Sequence, residues 1–124
     1  MNSAPLPGRP VRGSATGRPV MALLDLLGRR WTLRILWELR TEPRGFRALQ
    51  AACDGMSPTV LATRLGELRT SGFVATDDAG VNRLTPLGAQ LMTALAPLRE
   101  YADQWAAAVA AVAAVAPADG DAER

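Results

Sequence analysis

The sequence predicts a mainly α-helical domain carrying one small β-hairpin, and three observations predict it. Ser57-Pro58 and Thr85-Pro86 each mark a helix start, because a hydroxyl can cap the free amides of the first turn and proline has no amide to leave unpaired. Leucines recur at spacings of four and three, at Leu61, Leu65 and Leu68 and again from Leu91 onward, which is the period of an amphipathic helix. Between the two helix starts, "FVATDDAGVNRLT" reads as two short strands joined by the polar turn Asp77-Asp78-Ala79-Gly80.

Each element follows in order. Residues 1–18 are rich in Pro, Gly, Ser and Arg with no apolar period, and predict a disordered basic arm. "PVMALLDLLG" predicts a short helix using Met21, Leu24 and Leu27, ended by Gly28. "RRWTLRILWELR" predicts a central core helix, apolar almost all round through Trp31, Leu33, Ile35, Leu36, Trp37 and Leu39, with Arg34 and Glu38 as an i,i+4 pair. Phe46, Leu49 and Cys53 share one side of a third helix that stops at Asp54-Gly55. The fourth starts at Ser57, buries its leucines and closes at Gly72. Its other side carries Thr59, Val60, Thr63, Gly66, Glu67 and Thr70, flanked by Arg64 and Arg69, so another surface can approach closely.

A helix, a glycine turn and a second helix form the helix-turn-helix unit, whose second helix usually lies in the DNA major groove. A helical hairpin in an ordinary bundle is the alternative. With the hairpin and a helix following, the order is that of a winged helix. In the last helix Leu91, Leu95, Leu98, Ala102, Trp105, Val109, Val112 and Ala116 repeat as a heptad. Leu87, Ala94, Tyr101, Ala108 and Val115 form a second row, making the stripe wider than one small domain requires. Half of it is expected to bury against a second copy, the alternative being a core helix of a single chain. Pro97 is expected to kink this helix.

Composition bounds the function. The 124 residues allow one domain, assigned here to residues 19–116 with a disordered acidic tail at 117–124. A single cysteine excludes an intrachain disulfide, and no secretion signal opens the chain, so the cytoplasm is the expected compartment. The longest apolar run, Trp105 to Ala116, falls well short of the roughly 20 residues that span a bilayer. With no histidine, one cysteine and no suggestive pair of carboxylates, neither an enzyme nor a metal or cofactor site is expected. All fourteen basic residues are arginine, and residues 1–47 hold nine of them against Asp25, Glu38 and Glu42. Arginine suits phosphate because its planar fork donates two parallel hydrogen bonds; a GC-rich genome would also favour arginine.

The stretches "ALLDLLGRRWTLRILWEL", Phe46 with Leu49, "MSPTVLATRLGELRTSGFV" and "LTPLG" together resemble the HxlR-type regulators, a branch of the MarR-like winged-helix transcription factors. The resemblance runs from Pro19 to about Tyr101. It implies a homodimeric DNA-binding regulator, expected to be a repressor on a palindromic operator, with the Ser57 helix in the major groove. Ser57, Thr59, Val60, Thr63 and Arg64 then occupy groove-facing or phosphate-facing positions, and Arg47, Arg69 and Arg83 complete the expected DNA-binding set. The first and last helices would make the dimer through Met21, Leu24, Leu91, Leu95, Leu98, Tyr101, Ala102, Trp105, Val109 and Val112.

Three departures stand out. Many relatives carry a redox-sensing cysteine just before the Pro-Val of the first helix, where this chain has Arg18, and Cys53 reads as a packing residue. The hairpin is short, and Asp77-Asp78 would repel phosphate. Thr59 takes a commonly basic position, and Gly66 inside the recognition helix costs roughly 1 kcal/mol relative to alanine. Two other functions fit the sequence. One is a small-molecule sensor whose Met21, Trp37, Met92, Tyr101 and Trp105 line a pocket for a small apolar or aromatic effector. The other is a winged-helix interaction module with little DNA binding.

Overall fold

The computed structural model describes residues 4–115; Ala116 and the tail expected at 117–124 lie outside them. Its elements are α1 (Pro19–Leu27), α2 (Thr32–Leu39), β1 (Arg44–Gly45), α3 (Phe46–Ala52), α4 (Pro58–Thr70), β2 (Val74–Thr76), β3 (Val81–Leu84), α5 (Pro86–Ala94) and α6 (Ala96–Val115). The chain divides into one unit up to Met92 and a second from Thr93 onward.

In the first unit, α2 supplies the centre: Ile35 and Leu36 are fully buried and Leu39 nearly so. It is not apolar all round, since Leu33 is 46% exposed and Trp37 sits half-buried beneath the Arg40 guanidinium, 3.4 Å from the ring centroid. The Arg34–Glu38 pair forms at 2.9 Å, and Arg34 also donates to Asp54 and to the Ala52 carbonyl, which ties α2 to the end of α3. The phase of α1 differs from expectation. Ala22, Leu26 and Leu27 are buried and Leu24 is 54% exposed. Six of its nine residues are bulky and apolar, so spacing alone leaves the inward face open and packing selects it.

Leu49 and Cys53 of the α3 segment are fully buried, and Asp54 and Gly55 then turn the chain through two positive φ angles, 60° and 70°. The Ser57 hydroxyl accepts the Val60 amide at 3.3 Å with Pro58 in the first turn, as the sequence predicted. Leu61, Leu65 and Leu68 are at most 2% exposed. Gly72 (φ 90°) closes α4: its amide donates to the Arg69 carbonyl and the Phe73 amide to the Leu68 carbonyl, the paired bonds of a Schellman end.

The hairpin is part of a three-stranded antiparallel sheet ordered β1-β3-β2, with Gly45 opposite Val81 and Ala75 opposite Arg83. Strand β1 has two residues and therefore no periodicity to read. Buried Asn82 joins all three strands, accepting from the Thr76 hydroxyl at 2.6 Å and donating to the Arg44 carbonyl at 3.1 Å. Thr85 then caps α5 through the Gly88 amide and donates to the Gly72 carbonyl. A Cβ at Gly88 would lie 2.2 Å from the Phe73 carbonyl oxygen, so only glycine permits this approach.

Residues 4–17, expected without structure, form turns in which Val11 and Ser14 pair as an isolated bridge, the Gly8 amide donates to the Gly17 carbonyl and Ala4 is buried. The last helix is two, α5 and α6, separated at Leu95. Pro97 does more than kink it: in a continuous helix its ring would collide with the carbonyl four residues earlier, and the new helix starts from the Leu95 carbonyl, which accepts the Arg99 amide at 3.0 Å. The second unit consists of the end of α5 and α6. No residue of α6 is buried, and Leu98, Tyr101, Trp105, Val109 and Val112 are 51 to 70% exposed.

Candidate nucleic-acid interface

The outward face of α4 is built by its caps and its leucines together. Burying Leu61, Leu65 and Leu68 leaves Thr59, Thr63 and Thr70 exposed, Val60 and Gly66 half-buried, and Ser57 exposed at the leading end. The first turn therefore presents hydroxyl and methyl groups without long side chains. Arg47, in the first turn of α3, is exposed. The wing stands beside α4: the Arg69 guanidinium donates to the Thr76 hydroxyl at 3.2 Å, and a groove of about 280 Å³ between them is lined by Ala62, Leu65, Arg69, Thr76 and Gly80 among others.

Two residues expected on the outward face point inward instead. Glu67 is 4% exposed and receives Arg29 at 2.6 Å and Arg64 at 3.3 Å. Arg64 also donates through Nε to the Arg30 carbonyl at 2.7 Å, which fixes α4 to the α1–α2 turn. Arg64 thereby helps to position α4. A glutamate among threonines gives no sign of this along the chain, because both its partners come from packing.

The wing turn is less repulsive than its sequence suggests. The Asp77 carboxylate accepts the Ala79 and Val81 amides, each at 2.9 Å, and pairs with Arg83 at 3.0 Å. The Val81 amide foremost, with Arg83 and the Ala79 amide assisting, holds the Asp77 carboxyl below the usual aspartate range. Arg83 is thus partnered within the wing. Cys53 is fully buried, and desolvation pushes its thiol above the ordinary range, leaving it protonated at neutral pH.

Of the five residues expected in an effector pocket, Met21 lines a cleft with four arginines, Met92 is buried, and Trp37 lies beneath Arg40. Tyr101 and Trp105 are 58 and 61% exposed. Of the residues expected in a dimer, Leu91 is only 8% exposed and belongs to the core of the domain. Among the described residues no helix is long and apolar enough to cross a membrane.

Helices α1 to α5 with a three-stranded wing, and the small exposed face of capped α4, define a winged helix-turn-helix protein. Residues 26–110 match the HxlR-like helix-turn-helix family, and the chain belongs to that family of transcriptional regulators, which are not enzymes. It is 31% identical over 88 residues to the uncharacterised HTH-type transcriptional regulator YvaP of Bacillus subtilis (strain 168), covering 66% of this chain and 82% of the other. The quinone-bound structure of YodB from B. subtilis superposes with a TM-score of 0.65 at 30% identity, over 69% of this chain and 97% of that one. The possible HxlR family transcriptional factor of Thermoplasma volcanium GSS1 gives a TM-score of 0.60 at 27% identity, over 70% and 84% of the two chains.

Proposed function

We propose that the chain is a cytoplasmic DNA-binding regulator, acting as a repressor by occupying a twofold-symmetric operator as a homodimer. The exposed small face of α4, capped by Ser57, carries this reading. Thr59, Val60 and Thr63 contact base edges and thymine methyls, while Arg47 and Arg69 bind phosphates and set the register. Two such helices about 34 Å apart read successive major grooves on one side of the duplex. The exposed apolar row of α6 supplies a surface for the second copy.

The test is titration of a palindromic promoter fragment and a scrambled duplex at two salt concentrations, with circular dichroism on each variant. Thr63→Ala loses discrimination on the order of 1 kcal/mol with nonspecific binding little changed. Arg47→Ala weakens binding to both duplexes and flattens the salt dependence by about one unit of slope. If both folded variants bind both duplexes as the wild type does, α4 does not read DNA, and the fold serves instead as an interaction module.

A further inference from the structure

We propose that the wing acts on DNA through α4: Thr76 holds the Arg69 guanidinium over the groove between α4 and the hairpin, where Arg69 takes one phosphate of the DNA backbone. Thr76 is then a positioning residue, and the buried Asn82 fixes its hydroxyl. This rests on the regulator reading above and adds to it two residues that act without touching DNA.

A chain of hydrogen bonds runs from the sheet to α4. Asn82 is 2% exposed, and its Nδ2 donates to the Arg44 carbonyl at 3.1 Å. A carbonyl can only accept, so Asn82 turns its own Oδ1 to the Thr76 hydroxyl, 2.6 Å away. That oxygen also only accepts, so Thr76 uses its single hydroxyl hydrogen there and leaves its lone pairs outward. The Arg69 Nη1 donates to them at 3.2 Å. Each direction is forced by the group before it, and the three strands together present one acceptor to the last turn of α4.

Arg69 has no other claim on its charge. Among the described residues no carboxylate pairs with it, whereas Arg29, Arg34, Arg44, Arg64 and Arg83 each pair with at least one. Of the described residues lining the groove of about 280 Å³, Arg69 alone is charged. Asp77 is bound to Arg83 and to two amides of its turn, and neither it nor Asp78 lines the groove. A full charge facing a groove without carboxylates attracts an anion. The guanidinium is also open on its other side: a Cβ built at Gly66 would approach Arg69 Nη2 to 3.9 Å, and glycine leaves that space clear. This gives a use to a residue that weakens the helix. With the exposed threonines of α4 on base edges, the strand bordering the major groove passes the flank of α4 where the groove opens. An arginine held there beforehand has less rotamer freedom to lose on contact.

The experiment is titration of the full chain with the palindromic fragment and the scrambled duplex over a range of salt, for the wild type, Arg69→Gln, Thr76→Val, Thr76→Ser and Arg69→Gln/Thr76→Val, with circular dichroism on each. Arg69→Gln is expected to weaken binding to both duplexes about tenfold at low salt and to flatten the salt dependence by about one unit of slope. Thr76→Val is expected to weaken both about threefold alone and to add nothing beside Arg69→Gln, while Thr76→Ser binds as the wild type does. Wild-type affinity in Thr76→Val, a loss in Thr76→Ser equal to that in Thr76→Val, or a Thr76→Val effect that persists beside Arg69→Gln overturns the positioning role. If Thr76→Val does not fold, relaxation of the Arg69 Nε in the wild type decides: order near that of the backbone supports the hold, and the motion of a free side chain overturns it. A wild type that binds neither duplex removes the regulator reading and this contact together; binding that keeps its full slope in Arg69→Gln overturns this contact alone.

Discussion

Glu67 accepts two arginines while 4% exposed, and this one carboxylate holds α4 against the α1–α2 turn. Removing a partner leaves buried charge unmatched, at a cost near the low end for such groups because both guanidiniums keep some water. Glu67→Gln is expected to lower unfolding free energy by about 2 to 3 kcal/mol and Arg64→Ala by less, because Arg29 still pairs with Glu67 at 2.6 Å, both read from urea melts. Equal stability of either variant with the wild type would make the cluster a surface network only. At Cys53 burial keeps the thiol protonated and out of reach, so diamide is expected to leave duplex binding intact and Cys53→Ser to bind normally. Release of the wild type by diamide with Cys53→Ser spared would show a sensor thiol instead.

At the scale of elements, the wing is held by its own turn as much as by the sheet. Asp77 bonds the Val81 and Ala79 amides, and its folded pKa lies below the ordinary aspartate value. A depressed carboxylate contributes stability that is complete above its unfolded pKa and lost as pH falls through the folded one. Amide shifts of Ala79 and Val81 are therefore expected to hold through the ordinary aspartate range and to move only below it. A midpoint at the ordinary value would mean that the turn does not depend on the ionised carboxylate. The hairpin, its turn and both hydroxyl-proline helix starts were legible in the sequence, because each rests on groups within a few residues. Strand β1 was not, since two residues carry no pattern and pair with β3 from 38 and 36 positions away, Arg44 with Asn82 and Gly45 with Val81.

For the whole molecule, α6 sets the prediction. It carries Leu98, Tyr101, Trp105, Val109 and Val112 exposed in a single chain, an apolar row of the kind that marks an interface. Light scattering at micromolar concentration is expected to give twice the chain mass for the wild type, and the single-chain mass after Leu98→Glu with Trp105→Glu. A folded wild-type monomer, or a double variant that stays dimeric, would remove α6 as the interface. Leu91 was read into the same stripe from its spacing, yet it lies in the domain core, because Pro97 ends the regular helix before the row is complete.

The sequence by itself determined the order of elements, the Ser57 and Thr85 caps, the buried leucines of α4 and the resemblance to HxlR-type regulators. These depend on neighbours three or four residues apart, where chain geometry leaves little freedom. Tertiary structure alone decided which face of α1 is buried, that Glu67 and Arg64 turn inward, and that arginines from the N-terminal turns, the α1–α2 turn and α4 share one cleft. Those outcomes join residues such as Arg29 and Glu67 across 38 positions, where spacing carries no information and only packing brings the charges together.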